Sequence, residues 1–119
     1  MHETAVAQSL VEVITEEAGK RHARPVRATI SCGELNAIND DVLSFAFEAI
    51  AQGTACEGMG LQIEHKPLQA KCHVCERLFV VDWSDLKCPD CDSEDFEVLP
   101  DAPLMLEQIE FEGADDGED

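Results

Sequence analysis

Residues 72–91 read CHVCERLFVVDWSDLKCPDC. The stretch holds two C-x-x-C turns separated by twelve residues. Each turn can bring two sulfurs to one metal ion, and two such turns complete a tetrahedron. The spacing is typical of a zinc ribbon. It therefore predicts one zinc ion bound by Cys72, Cys75, Cys88 and Cys91. The site is expected to be structural, because the four thiolates fill every coordination position.

Disulfides and redox-active C-x-x-C pairs are the alternatives to zinc. The N-terminus has no basic patch followed by an apolar run, so we expect a cytoplasmic protein whose cysteines stay reduced. A thioredoxin-like thiol would need a helix directly after its C-x-x-C turn, and neither turn is followed by a helical pattern. Between the turns, residues 78–83 are expected to pair with residues 96–99 as a small β-ribbon.

Charge excludes two classes of partner. The 119 residues include 26 acidic and 8 basic side chains, for a net charge of −18. Such a chain repels phosphate backbones and anionic lipid surfaces, so neither nucleic acid nor membrane is an expected partner. The longest apolar run, at residues 78–81, is far too short to span a bilayer.

Outward from the cysteines, apolar periodicity predicts the order α-β-α-β, the cysteine insert, and a final strand. The first helix is expected over residues 4–19, with Gly19 as its terminator, and a strand starts at Pro25. The second helix is expected at about 41–52, followed by a strand at 61–66. The last strand, within 104–111, changes phase near Glu107, which predicts either a bulge or a change of the covering layer there. The second helix is expected to bury Val42, Phe45, Ala46, Ala49 and Ile50.

These elements predict an α+β fold, a two-layer domain with two helices on a three-stranded sheet and an inserted zinc ribbon. The expected bounds are 1–69 and 102–112 for the α+β domain, 70–101 for the ribbon and 113–119 for an acidic tail. The chain shows no phosphate-binding glycine loop and no recognisable nucleophile constellation, so it is not expected to be an enzyme.

The first three residues, Met1, His2 and Glu3, carry a possible second metal site. A free α-amine, the His2 amide nitrogen and the His2 imidazole can chelate one ion, and planar nitrogen donors suit Ni(II) or Cu(II). The fourth donor is open: the Glu3 amide or carboxylate, or a group from a partner. An exposed histidine without a metal is the alternative.

The remaining cysteines and histidines have simpler expectations. Cys32 occupies one of the alternating positions of its strand that face inward, so it is expected in the core. Cys56 lies in a glycine-rich loop and is expected to be an exposed thiol. His65 is expected to be partly buried, and His22 to be a helix-end cation. His73 lies inside the first knuckle and is a candidate spare ligand.

Several motifs occur together in one known family. They are MHE at residue 1, CGEL (32–35), SFAFEAI (44–50), GTACEG (53–58) and the paired C-x-x-C turns. From Met1 to about Glu112 the chain resembles the HypA/HybF proteins, nickel metallochaperones that help mature [NiFe] hydrogenases. One departure is Asp92 after the second knuckle, where many zinc knuckles carry glycine.

The resemblance implies nickel transfer rather than catalysis. Met1, His2 and Glu3 would be the nickel-site residues, and zinc would be structural. A GTPase of the HypB type and the precursor of the hydrogenase large subunit would be the partners. The rival interpretation is a zinc-ribbon adaptor that mediates protein interactions and binds no nickel.

Overall fold

The computed structural model describes residues 2–36 and 38–112. Its elements follow the predicted order, with three strands in the cysteine insert. They are α1 (Glu3–Arg21), β1 (Pro25–Gly33), α2 (Asp40–Ala51), β2 (Gly60–Lys66), β3 (Gln69–Cys72), β4 (Leu78–Val80), β5 (Phe96–Val98) and β6 (Met105–Phe111). The predicted acidic tail, 113–119, and Met1 lie outside the described residues. No helix among those described is long and apolar enough to cross a bilayer.

The first sheet has the strand order β2-β1-β6, and α1 and α2 cover it. β1 pairs with β2 in parallel and with β6 in antiparallel register. The core between helices and sheet includes Ile14, Ile30 and Leu43, all fully buried. The predicted two-layer α+β architecture is confirmed.

Of the two alternatives expected near Glu107, the structure shows the bulge. Thr29 pairs with Gln108, while the next residue, Ile30, pairs with Leu106, so Glu107 is skipped. The extra residue lets Leu106 and Ile109 both contact the core despite their opposite parity. Ser31 points to the other face, where its hydroxyl donates to the Glu107 carboxylate at 2.6 Å.

The first helix does not end at Gly19, and that expectation was wrong. α1 continues to Arg21, and His22 takes the left-handed conformation at its C-terminus, with φ of 52°. The N–H of Ala23 donates back to the Ala18 carbonyl at 3.2 Å, which closes the helix end. Gly19 therefore lies inside the helix. Ala18 before it is buried, and Lys20 and Arg21 after it form ion pairs with side chains one turn earlier.

The second helix buries a different face from the expected one. Leu43 and Phe47 are 0% and 3% exposed, whereas Val42 and Phe45 are 48% and 72% exposed. Ala46 and Ile50 pack against the core as expected, but Ala49 is exposed. The sequence holds two apolar stripes at helical spacing, and the α1 packing surface selects the one that contains Leu43 and Phe47.

The second sheet belongs to the cysteine insert and has the order β4-β3-β5, with all pairs antiparallel. β3 therefore lies between β4 and β5, so the expected direct pairing of 78–83 with 96–99 was wrong. A small separate core forms around Leu68, Ala70 and Val81, with Phe79 and Phe96 packed edge to face at 5.4 Å. We call this insert, with its three strands and four cysteines, the cysteine ribbon.

Candidate metal centres

The four cysteines of the ribbon come together at one point. Cys72 ends β3 and Cys75 lies in the turn after it, while Cys88 and Cys91 lie in the loop between β4 and β5. Their Sγ atoms all lie within 4.8 Å of one another, and the pairs Cys72–Cys91 and Cys75–Cys88 are 3.5 and 3.6 Å apart. Sulfurs bound tetrahedrally at about 2.3 Å lie about 3.8 Å apart. The donor set therefore fits one four-coordinate ion.

Backbone groups shape this four-cysteine site. The Sγ of Cys72 accepts the N–H groups of Val74 and Cys75, at 3.3 and 3.4 Å. Glu76 follows the first turn with a φ of 63°, and Asp92 follows the second with a φ of 62°. This left-handed conformation explains why glycine is common there in zinc knuckles, and aspartate is among the residues that tolerate it best.

The surroundings shift the pKa values of Cys72 and Cys91 in opposite directions. The N–H of Cys75, followed by that of Val74 and the Cys91 thiol, lowers the pKa of Cys72 to about 6. The Ser93 N–H favours the Cys91 thiolate, but loss of hydration and the neighbouring thiols outweigh it and raise the pKa of Cys91 to about 12. The charge of a divalent cation would favour the thiolate form of all four cysteines, and the thiolate is the form that binds metal.

His73, the candidate spare ligand, is engaged elsewhere. Its Nδ1 lies 2.8 Å from the Asp95 carboxylate and its Nε2 lies 3.3 Å from that of Glu97. Asp95 first, and then Glu97, raise the pKa of the imidazole. Among the described residues, the cluster able to hold an ion contains the four cysteines without His73.

At the other candidate site, His2 immediately precedes α1. It is exposed and extended, with φ of −93° and ψ of 119°, and its side chain makes no capping hydrogen bond. The Glu3 carboxylate instead reaches α2, where it accepts the Asn39 N–H at 3.0 Å. That hydrogen bond lowers the pKa of Glu3. The His2 imidazole is therefore exposed at the start of α1, while the Glu3 carboxylate connects the first turn of α1 to α2. The third predicted residue, Met1, lies outside the described residues.

The structure brings neither Cys32 nor Cys56 to the four-cysteine site. Cys32 is fully buried, as expected for a core residue. The expectation that Cys56 would be exposed was wrong. Cys56 is also fully buried, and its Sγ lies 3.6 Å from the Thr15 hydroxyl. The Cys56 N–H donates to the Thr54 hydroxyl at 3.0 Å, and its Sγ lies 3.7 Å from the Val11 carbonyl oxygen, so the 53–58 loop holds the thiol against α1.

A carboxylate that sequence reasoning missed joins the two sheets. Glu34 directly follows β1 and accepts the Leu68 N–H at 2.8 Å and the Trp83 indole N–H at 2.9 Å. The Leu68 contact, followed by the Trp83 contact, lowers the pKa of Glu34. Asp101 adds a third link by accepting the Asn36 N–H at 2.7 Å. Glu34 lies within the CGEL motif, and that motif was the feature of the sequence that could have identified it.

The chain is similar to a family of known proteins along nearly its whole length. Residues 1–111 match the family described as "Hydrogenase/urease nickel incorporation, metallochaperone, hypA". The hydrogenase maturation factor HybF of Escherichia coli is 33% identical over 113 residues, covering 94% of this chain and 100% of its own. The maturation factor HypA of Desulfitobacterium hafniense is 34% identical, covering 94% and 99%.

Two solved structures resemble this one along nearly the whole chain. The solution structure of the Ni metallochaperone HypA from Helicobacter pylori is 25% identical, with a TM-score of 0.61, and the match covers 93% of this chain and 97% of that one. A second match, titled "Solution structure of HypA protein", is also 25% identical, with a TM-score of 0.69 and coverage of 94% and 97%.

Proposed function

Because this chain belongs to the HypA/HybF family of nickel-incorporation metallochaperones, we propose that it binds Ni(II) at its N-terminus and delivers it to the large-subunit precursor of a [NiFe] hydrogenase. The family consists of maturation factors that handle metal, so the chain is not a catalytic enzyme. Nickel is the cargo in this proposal, and zinc is the resident ion of the cysteine ribbon.

The nickel proposal rests on the His2 imidazole, which is exposed and makes no capping hydrogen bond. It lies at the start of α1 with no side-chain partner in the helix cap. Together with the α-amine of Met1 and the amide nitrogens of the first residues, it supplies the planar nitrogen donors that Ni(II) accepts. The Glu3 carboxylate is occupied by the Asn39 N–H, which favours Glu3 contributing its amide or an orienting contact.

The cysteine ribbon is proposed to hold Zn(II) permanently. Its sulfur spacing matches tetrahedral thiolate coordination, and a module with so small a core needs the ion for stability. Four filled positions leave no place for a substrate. His2, in contrast, is exposed, so releasing an ion from it would disturb little of the fold.

The proposed transfer takes place in the cytoplasm between protein partners. A HypB-type GTPase would associate with the chain before nickel passes to the hydrogenase precursor. The net charge of −18 is consistent with protein partners and unfavourable for nucleic acid.

Nickel titration of the untagged, zinc-loaded protein tests the proposal. We expect one tight Ni(II) equivalent, lost in His2→Ala and retained in the control His22→Ala, since His22 lies at the opposite end of α1. Adding Gly-Ser before Met1 should also weaken binding strongly, because it converts the amine into a peptide nitrogen. Equal affinity of the extended and native proteins would refute an N-terminal chelate.

A protein-interaction adaptor is the second candidate. The cysteine ribbon exposes large apolar side chains, including Trp83 and Leu78 at 56% and 59%. Such a protein would bind no nickel beyond the zinc site, so the same titration distinguishes the two functions.

A further inference from the structure

A chain of polar contacts runs from the sheet to the second helix. Cys32 on β1 and His65 on β2 are register partners. The Cys32 Sγ lies 3.5 Å from Nδ1 of His65, and Nε2 of the same ring lies 2.7 Å from the Asp40 carboxylate. In the neutral ring, Nε2–H donates to Asp40 and Nδ1 accepts from the thiol. His65 thus links the buried Cys32 on β1 to Asp40, the first residue of α2.

The residue before Asp40 holds the N-terminal arm, which we define as His2 and Glu3. Asn39 caps α2 by accepting the Val42 N–H at 3.0 Å. Its own N–H donates to the Glu3 carboxylate at 3.0 Å. Asp40 therefore contacts His65, and the adjacent Asn39 contacts the arm.

We propose that His65 is a positioning residue for the N-terminal arm. By holding Asp40, it keeps the first turn of α2 in place, so that the Asn39 N–H stays directed at Glu3. This arrangement limits the orientations of His2, which directly precedes Glu3. The consequence for nickel rests on the proposed function, but the anchoring of the arm does not.

Two other roles for these groups conflict with the geometry. Cys32 and Asp40 contact opposite nitrogens of the His65 ring, so one ion cannot bind all three through it. The order thiol, imidazole, carboxylate also resembles that of a nucleophilic triad. However, Cys32 is fully buried, so a substrate cannot reach its sulfur.

The anchoring is tested without metal by NMR of the zinc-loaded, nickel-free protein. His65→Asn keeps a polar group near Cys32 but is too short to reach Asp40. His65→Gln places an amide donor near the position of Nε2. We expect the Asn39 amide signal to shift and its hydrogen exchange to accelerate in His65→Asn, with recovery in His65→Gln. The matched control, His22→Asn, should leave this signal in place.

Nickel affinity tests the consequence for the site. Loss of a residue that orients metal ligands costs roughly 10–100-fold in affinity, and we expect about tenfold weaker nickel binding for His65→Asn. If His65 acts through Glu3, that loss should disappear when His65→Asn is introduced into Glu3→Ala. A merely structural defect would instead weaken binding in both backgrounds and lower the melting temperature.

The outcomes separate the two proposals. An Asn39 amide that is unchanged in His65→Asn overturns the positioning role, whether or not nickel binds. Independent, additive losses in the double variant also overturn it. Wild-type protein that binds no nickel would overturn the proposed function alone, because the amide measurement requires no nickel.

Discussion

The two phenylalanines of α2 provide the sharpest test of how that helix faces the sheet. Phe47 is 3% exposed and Phe45, two residues earlier, is 72% exposed. Burying a phenylalanine removes about 150–250 Å² from water, which is worth about 4–6 kcal/mol at 25 cal/mol per Å². Phe47→Ala should therefore cost about 3–5 kcal/mol, the usual range for deleting a buried ring.

Phe45→Ala is the matched control because the chemical change and the helix are the same. Only about a quarter of its surface is covered, so the lost burial is about 1 kcal/mol. The higher helix propensity of alanine returns about 0.5 kcal/mol. The net loss in the free energy of unfolding should be about 0.5 kcal/mol.

Thermal unfolding followed by circular dichroism at 222 nm measures both variants, because α1 and α2 supply the helical signal. A loss of 3 kcal/mol lowers the melting temperature of a domain of this size by at least about 10 °C. Phe45→Ala should stay within about 3 °C of wild type. If Phe45→Ala proved as destabilising as Phe47→Ala, the helix would face the core through its other stripe, and the assigned packing would be refuted.

Three further predictions concern the ribbon, the glycines and pH. Cys72→Ser should release the ribbon's metal, measured by elemental analysis, while most helical signal survives because the first sheet has its own core; helices that melt with the ribbon would contradict this. Gly33→Ala should lower the melting temperature, since its new Cβ would overlap the Asp101 carboxyl, whereas Gly19→Ala, with open space around it, should raise it. Ser31 and then Lys66 lower the pKa of Glu107 from its ordinary 4.5. The stability advantage of wild type over Glu107→Gln should therefore be complete above that value and shrink as pH falls through the lowered pKa; urea titrations that show a constant gap would disprove the linkage.

The sequence by itself determined the features that depend on short-range pattern. Alternating or helical spacing of apolar residues predicts each element of the first domain, because burial of one face demands that period. The irregularity at Glu107 was also predictable, since a strand whose apolar residues change parity must either insert a residue or change its covering layer; the structure shows the insertion. The four-cysteine site followed from spacing alone, because the ion dictates its own ligand geometry.

Only the tertiary structure decided which groups meet across long separations. α2 carries two apolar stripes at helical spacing, and packing against α1 and the sheet buries the one that contains Leu43 and Phe47. Cys56 became buried because a glycine-containing loop folds under a helix 41 residues away from it in sequence. The contacts of His65 with Asp40 and of Glu34 with Trp83 span 25 and 49 residues. No local pattern encodes such pairs, since each depends on the packed positions of two elements whose separate sequences carry no information about the other.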